Sequence, residues 1–462
     1  MKVVLIRAKP TELKNSRLPL SLSEGVGCVM PLGIASIAAF LRQNNIEVRI
    51  IDAESESLSS EEVRKRLRDI KPGLVGISSM TPAFHDDIEI ARIAREEGAL
   101  VVMGGPHVNV MPKAALELKE ADFCIIGEGE LPMLKLIDAI AGKMPLSEVP
   151  GLVYSDKDLN IKANAPYIHE NLDELPDPAI DLLPFERYHS IISNGRLATV
   201  SVGRGCPFLC GFCFKQPSDS KIRFRNPVLV ANEIEQLVSK YGFKEINFVT
   251  DTFTVKKEFV EALCNDILRR KINVSWIAPT RVDCVNLSML KLMKKAGCRS
   301  LRFGVESGSE KILKLMNKST DKEKTVLAFK YAREAGIQSF AYLIIGYLGE
   351  TEETLRQTFD FVKKIRPDLL MYNIATPLPG TLLFDQAVKA GLVDADYWNK
   401  FVLDKNYPRI PYLFNDTDKW IKYGYWDFYF SPHFILKKIL EIRPGNIGTY
   451  LRAFKGLKGL PR

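Results

Sequence analysis

The stretch "GRGCPFLCGFC", from Gly203 to Cys213, places three cysteines on one glycine-rich loop with the spacing C-x3-C-x2-C. Such spacing allows three sulfur atoms to converge on one metal centre. A structural zinc site uses four protein ligands, usually as paired C-x2-C hooks, and iron–sulfur clusters generally use four cysteines. The next cysteines along the chain fall on predicted helices or βα connections: Cys264, Cys284 and Cys298. The loop therefore predicts a metal centre with one position open to an outside ligand.

The composition is that of an ordinary globular protein, with 46% hydrophobic and 26% charged residues among 462. The net charge of +8 is concentrated near the end, because residues 431–462 contain seven lysines or arginines against one glutamate. We therefore expect no nucleic-acid partner. The eight cysteines form no disulfide pattern, which indicates a reducing, cytoplasmic location. We see neither a signal peptide nor an apolar run of about 20 residues.

Short apolar runs alternate with helical segments over residues 1–150, which predicts a doubly wound, Rossmann-like parallel α/β sheet. The predicted strands are 3–6, 48–52, 74–79, 100–105 and 123–130, and the predicted helices are 32–42, 61–69, 87–97 and 113–118. Ligands of such sheets bind beyond the carboxyl ends of the strands. Three strand ends, "SSMTP", "GGPH" and "GEGE", are rich in small residues. Since glycine lets the backbone approach a ligand closely, we expect a ligand there.

The pattern changes twice along the rest of the chain. Residues 151–195 are rich in proline without clean periodicity, which predicts a linker. Alternation resumes over 196–380, with predicted strands at 197–202, 245–250, 274–278, 300–305, 338–345 and 369–374. Six strands predict a partial (β/α)6 TIM-type barrel, open at one side. Residues 381–462 lose the strand pattern and predict a mostly helical, basic extension.

The cysteine loop resembles the cluster motif of the radical S-adenosylmethionine (radical SAM) superfamily, C-x3-C-x-aromatic-C. The matching positions are Cys206, Cys210, Phe212 and Cys213. The resemblance implies a 4Fe-4S cluster on the three cysteines, with S-adenosylmethionine (SAM) on the fourth iron. The resemblance also implies SAM-binding positions in the cysteine loop and at predicted strand ends. Phe212 and Gly346 would lie near adenine, and Glu306 and Ser307 near the ribose. Arg281 would lie near the carboxylate, and Asp251 and Thr252 stand where the family usually has glycines.

The first half of the chain resembles the cobalamin-binding domain that precedes many radical SAM enzymes. The similar segments are "MPLGIASIAAFLRQNNIEVRIIDA", "GISSMTP", "VVMGGPHV" and "IIGEGE". This resemblance implies cobalamin contacts from Ser79, Thr81, Gly104, Gly105, His107, Gly127, Glu128 and Gly129. The cobalt-ligating motif D-x-H-x-x-G does not occur in the sequence. We therefore expect His107 to line the edge of the corrin ring, and axial ligation of cobalt is the alternative.

Together the resemblances imply an enzyme that generates a 5′-deoxyadenosyl radical and C-methylates an unactivated carbon of a small-molecule or lipid substrate. An electron donor such as flavodoxin or ferredoxin is the implied partner. Two alternatives stay open: a radical SAM cyclase or rearrangement enzyme that has cobalamin but transfers no methyl group, and a non-catalytic cobalamin-binding regulator.

The basic tail, residues 431–462, interleaves lysine and arginine with leucine and aromatic residues. Two interpretations of this pattern stay open. One is a helical cap that packs on the barrel. The other is a helix at an anionic membrane surface, which would make the protein peripheral at the inner membrane surface and favour a lipid substrate.

Overall fold

The computed structural model describes residues 1–10, 28–189, 196–215, 221–432 and 434–436. The described residues up to 163 form one seven-stranded sheet with helices on both faces. Its strands are β1 (Val3–Arg7), β2 (Val48–Asp52), β3 (Leu74–Ser78), β4 (Leu100–Gly104), β5 (Phe123–Ile125), β6 (Leu152–Ser155) and β7 (Ile161–Ala163). The helices are α1 (Leu32–Gln43), α2 (Ala53–Glu56), α3 (Ser60–Ile70), α4 (Phe84–Glu96), α5 (Pro106–Val110), α6 (Ala114–Glu117) and α7 (Glu130–Ile140).

The order of strands in this first sheet is β2-β1-β3-β4-β5-β6-β7. Strands β1 to β5 are parallel, and β1 lies between β2 and β3, with Val3 opposite both Val48 and Leu74. Strands β1, β3, β4 and β5 are largely buried because helices cover both faces of the sheet. The predicted parallel α/β sheet is thus confirmed.

The linker predicted over 151–195 is wrong in its first part. Strands β6 and β7 lie there and extend the first sheet in antiparallel pairing, with Cys124 opposite Val153 and Tyr154 opposite Lys162. Both strands are short and β7 is largely exposed, so they carry little of the apolar pattern that marks a strand. The strand predicted over 123–130 is also shorter, because the sequence "GEGE" forms a turn that leads into α7.

The second sheet has six parallel strands in the order β15-β14-β13-β12-β11-β8. They are β8 (Leu197–Ser201), β11 (Glu245–Val249), β12 (Ser275–Arg281), β13 (Cys298–Glu306), β14 (Gln338–Ile345) and β15 (Leu369–Ile374). The structure shows no pairing between the end strands β8 and β15 in the described residues, as a laterally open barrel requires. A two-stranded ribbon, β9 (Gly203–Arg204) with β10 (Arg223–Phe224), closes the base of the cysteine loop.

Helices alternate with the strands of the second sheet and continue beyond it. They are α8 (Pro227–Ser239), α9 (Lys257–Arg269), α10 (Leu287–Lys295), α11 (Glu310–Leu315), α12 (Lys322–Ala335), α13 (Glu352–Ile365), α14 (Leu382–Lys389), α15 (Tyr397–Leu403) and α16 (Thr417–Tyr429). Cys298 begins β13, although a helix or a βα connection was predicted for it. The helices predicted for the basic tail lie mostly in 437–462, outside the described residues.

The C-terminal helices pack against both halves of the molecule. Trp398 and Phe401 of α15 join the apolar core on one face of the first sheet. Tyr425 and Tyr429 of α16 place their hydroxyls on the backbone of β15, 3.1 Å from the Tyr372 nitrogen and 3.0 Å from the Leu370 oxygen. The edge of the second sheet is thereby covered. Among the described residues no helix combines the length and apolar character needed to cross a membrane.

Candidate functional site

The cysteine loop follows the carboxyl end of β8 and is fixed by the segment after α11 and by the first turn of α14. The Gly211 nitrogen donates to the Met316 oxygen at 2.8 Å, and the Gly211 oxygen accepts from the Leu383 nitrogen at 2.8 Å. The Asn317 side chain donates to the Leu209 oxygen at 2.7 Å. A Cβ at position 211 would lie 3.0 Å from the Tyr347 hydroxyl, so glycine permits this close approach.

The three cysteines differ in exposure: Cys210 is buried, Cys206 is half-buried, and Cys213, taken as a whole residue, is exposed. Burial of their sulfur atoms raises the pKa of Cys210 and raises that of Cys213 to about 12. In the described part of the chain, no three His, Cys, Asp or Glu side chains lie close enough to hold one metal ion. The donor set fits an iron–sulfur cluster, since three thiols on one short loop supply the ligands that such clusters take.

A buried ion pair lies beside the cysteine loop. The Lys318 ammonium is 2.8 Å from the Glu306 carboxylate, and the two side chains are 6% and 9% exposed. Lys318 also lies 6.0 Å from the centre of the Phe212 ring. Glu306 ends β13 in a left-handed conformation, with φ at 64°. Its side chain folds back over Gly304, where a Cβ would lie 2.5 Å from the carboxylate oxygen, so this arrangement requires glycine at 304.

Arg281 ends the neighbouring strand β12 and faces the same loop. Its guanidinium lies 3.7 Å above the Phe208 ring and donates to the Cys210 sulfur at 3.8 Å. It also forms a two-point ion pair with Asp283, at 2.9 and 2.8 Å. Together with Lys318, Arg281 opposes the effect of burial on the pKa of Cys210. Parallel strands end at one edge, which is why Arg281, Glu306 and the cysteines meet.

The other predicted SAM positions lie at the same edge but have partners of their own. Ser307 is buried and its hydroxyl lies 3.1 Å from that of Thr358 on α13. Gly346, with φ at 80°, donates its N–H to the buried Glu350 carboxylate at 2.7 Å. Thr252 is buried and donates its hydroxyl to the Asp251 oxygen at 2.8 Å, while the Asp251 side chain is exposed.

A cavity of about 370 Å³ lies at the carboxyl ends of β3 to β5, between the two sheets. The first half lines it with aliphatic side chains and with small residues, among them Gly33, Ser36, Ser78, Gly104, Gly105, Gly127 and Gly129. The second half contributes Ser201, Arg204, Arg225 and Val249. A Cβ at Gly33 would meet open space, and one at Gly104 would meet only a carbonyl oxygen at 3.6 Å. A ligand in this junction cavity would contact backbone at these glycines, as the predicted cobalamin would.

The predicted cobalamin residues divide into two groups. Five line the junction cavity: Gly104, Gly105, Gly127, Glu128 and Gly129. The other three, Ser79, Thr81 and His107, do not. Ser79 is buried and donates to Asp87 at 2.7 Å. The His107 ring is fully buried on α5, 3.2 Å from the Thr81 hydroxyl and 4.3 Å from the Phe84 ring centre, and burial lowers its pKa to about 3. The expectation that His107 lines a corrin edge thus does not match its position.

Charged pairs across the cavity join the two halves, and the sequence did not point to them. The Glu130 carboxylate accepts from Arg204 at 2.6 Å and from Ser36 at 2.9 Å. Glu128 forms ion pairs with Arg223 at 2.6 Å and with Arg204 at 3.1 Å. Arg204 stands two residues before Cys206, so these pairs connect the cavity wall to the cysteine loop. The Glu128 side chain is therefore engaged by arginines of the second half.

Both halves of the chain match known protein families. The profile of the Radical SAM superfamily matches residues 200–362, and that of the B12 binding domain matches residues 22–137. An uncharacterized methyltransferase from Pyrococcus horikoshii is 33% identical over 449 residues, which cover 96% of this chain and 95% of that protein. The chain belongs to the radical SAM superfamily. It is a member that carries an N-terminal B12-binding domain, as the resemblances in its sequence implied.

Two further proteins to which the chain is similar differ from each other in activity. The anaerobic magnesium-protoporphyrin IX monomethyl ester cyclase of Rubrivivax gelatinosus is 31% identical over 368 residues, covering 77% of this chain and 66% of that protein. The solved structure of the radical SAM methyltransferase TsrM from Kitasatospora setae, with cobalamin and a [4Fe-4S] cluster bound, has a TM-score of 0.70 at 18% identity. It covers 86% of this chain and 79% of that one, and at this identity it shows the shared fold.

Proposed function

We propose that this protein is a cobalamin-dependent radical SAM enzyme that C-methylates an unactivated carbon of a small-molecule or lipid substrate. The observation that carries the proposal is the position of the junction cavity. It lies at the carboxyl ends of the strands of the first sheet. On its other side it is closed by residues at and after the end of β8, the strand that leads into the cysteine loop. The two proposed cofactor sites, which differ in chemistry, would then be neighbours across one cavity.

Different residues would bind the two cofactors. Cys206, Cys210 and Cys213 would hold the 4Fe-4S cluster, with SAM on its fourth iron. Glycines of the junction cavity, above all Gly33 and Gly104, would hold cobalamin through backbone contact, because a side chain at either position would occupy the ligand's space. When bound, these groups supply one-electron cleavage of SAM and methyl transfer. The chain's own part is to bind them, fix their separation and exclude water.

The proposed division of the chain follows the predicted one. Residues 1–150 would form the cobalamin-binding domain, 196–380 the radical SAM barrel and 381–462 the C-terminal extension. The segment 151–195 would connect the first two, although β6 and β7 belong to the first sheet.

The test of this proposal is anaerobic reconstitution with iron, sulfide and cobalamin, followed by assay of 5′-deoxyadenosine with a reductant and SAM. We expect a cluster of about four irons per chain, bound cobalamin, and 5′-deoxyadenosine formation that Cys206→Ala abolishes. A chain that binds cobalamin but forms no 5′-deoxyadenosine would instead be the non-catalytic regulator.

A radical cyclase or rearrangement enzyme is the second candidate, and the identity to the Rubrivivax gelatinosus cyclase favours it. The two candidates differ in the fate of the SAM methyl group. Methyl transfer consumes one SAM for radical formation and another for the methyl group, so S-adenosylhomocysteine accumulates beside 5′-deoxyadenosine. Cyclisation without methyl transfer yields no S-adenosylhomocysteine, and a turnover assay that measures both products separates the candidates.

Two partners are also part of the proposal. A low-potential carrier such as flavodoxin or ferredoxin would supply the electron in the cytoplasm. The basic tail, 431–462, would place the enzyme at an anionic membrane surface, where each lysine or arginine contributes about 1 kcal/mol. Liposome sedimentation at low and high salt tests this second proposal. Binding that is unchanged after deletion of residues 445–462 would contradict it.

A further inference from the structure

We propose that Arg281 raises the reduction potential of the iron–sulfur centre by donating an N–H to the Cys210 sulfur, and that it does not bind the carboxylate of SAM. This inference rests on the proposed function, because it assumes that Cys210 is a cluster ligand. It departs from the role that family resemblance implies for Arg281.

The donors of the Arg281 guanidinium are nearly all engaged. Nε and Nη2 donate to the two Asp283 oxygens at 2.9 and 2.8 Å, and Nη2 also donates to the Ser319 oxygen at 3.2 Å. Nη1 donates to the Cys210 sulfur at 3.8 Å. An arginine has five N–H donors, so one remains. The two-point contact by which arginine usually binds a carboxylate is therefore not available to SAM.

Packing fixes the guanidinium in this position. Its central carbon lies 3.7 Å from the centre of the Phe208 ring, and Phe208 belongs to the cysteine loop itself. Arg281 is 5% exposed, so water does not compete for the donor that faces the sulfur. Ser319 follows Lys318 directly, which means that Arg281 ties the cysteine loop to the segment that carries the second buried cation.

Hydrogen bonds to cluster sulfurs and nearby positive charge are among the factors that set the reduction potential of iron–sulfur centres. The reduced cluster is more negative than the oxidised one, so a cationic donor at Cys210 stabilises the reduced form. Removal of the donor should lower the potential. We expect Arg281→Met to decrease the ratio of reduced to oxidised cluster about tenfold at a fixed solution potential, which is a shift of about 59 mV for one electron.

The experiment is a redox titration of the reconstituted full-length enzyme without SAM, in which electron paramagnetic resonance measures the reduced cluster at each potential. The variants are Arg281→Met, Arg281→Lys and Asp283→Asn. Arg281→Lys should lower the potential by less than Arg281→Met, since it keeps the positive charge but loses the planar guanidinium donor. Asp283→Asn removes a negative charge beside the guanidinium and should therefore not lower the potential. Arg66→Met is the matched control, because Arg66 forms a similar two-point pair with Glu56 at 2.8 and 2.7 Å but lies in α3. SAM affinity and iron content are measured on each variant.

A lower potential in Arg281→Met, with Arg66→Met unchanged and SAM affinity retained, supports the proposal. A lower potential together with a loss of SAM affinity overturns the part that denies Arg281 a contact with the SAM carboxylate. An unchanged potential in Arg281→Met overturns the proposal, and a loss of SAM affinity alongside would restore the carboxylate role. If Arg281→Met assembles no cluster, Arg281→Lys decides by the same criterion. Failure of the wild-type chain to assemble a cluster defeats the proposed function as well, and it is seen before any variant is compared.

Discussion

The buried pair between Lys318 and Glu306 should be essential to the local structure of the cysteine loop. Replacing Lys318 by methionine keeps most of its volume but leaves the Glu306 carboxylate without its cation. Since both side chains are less than one-tenth exposed, water can replace little of the lost interaction. Removing one partner of such a pair typically costs about 3–5 kcal/mol. We expect Lys318→Met to destabilise the barrel by that amount.

Thermal unfolding of the metal-free chain measures the effect. A change of 1 kcal/mol moves the melting temperature by about 2–4 °C for a cooperative unit of 150–250 residues, so Lys318→Met should lower it by about 6 °C or more. The double variant Lys318→Met/Glu306→Gln should recover at least half of the loss, because no unpaired charge remains. The exposed pair between Lys291 and Glu334, at 3.1 Å, is the control and should contribute less than about 1 kcal/mol.

The opposite result would refute this account of the pair. If the double variant is as unstable as Lys318→Met alone, the lysine stabilises the loop by packing and not by compensating the buried carboxylate.

Three further predictions concern the cofactor sites and a buried carboxyl group. Alanine at Cys206, Cys210 or Cys213 should abolish iron binding, whereas iron content should stay normal with alanine at Cys264, Cys284 or Cys298; loss of iron in one of the latter would reveal a fourth ligand. Gly104→Trp should release cobalamin because it fills open space in the cavity, while His107→Ala should leave the cobalt absorption spectrum unchanged; the reverse outcome would move the site to His107. Burial raises the pKa of Glu350 to about 7, so the folded chain keeps this proton while the unfolded chain releases it near 4.5. Stability should therefore fall as pH rises from about 4.5 through 7, and Glu350→Gln should flatten that fall in melting temperature; an equal slope in both proteins would exclude this carboxyl.

The order and type of most elements followed from sequence, because buried parallel strands leave continuous apolar runs. The exceptions have physical reasons. Strands β6 and β7 lie at the edge of the first sheet, where short and partly exposed strands lose that pattern. His107 stands in a glycine-rich turn that suggested ligand contact, but α5 begins at Pro106 and directs the ring against Phe84.

The candidate site was predictable only where a motif marked it. The three cysteines have a recognisable spacing, whereas Lys318 stands in "LMNKST", a stretch that matches no motif. Its importance arises because the segment after α11 lies against the cysteine loop. The pairs of Arg204 and Arg223 with Glu128 and Glu130 likewise join residues more than seventy positions apart. Such contacts depend on how the two sheets face each other, and a local sequence pattern does not show that arrangement.

The most direct test of the central claim follows the methyl group of SAM. Cells that express the protein, and cells that express Cys206→Ala, are grown anaerobically on methionine with a deuterated methyl group and compared by untargeted mass spectrometry. The account predicts at least one metabolite that carries a deuterated methyl group on carbon with wild-type protein and is absent with the variant. Deuterium-free new products that depend on Cys206 would contradict methyl transfer and favour cyclisation or rearrangement.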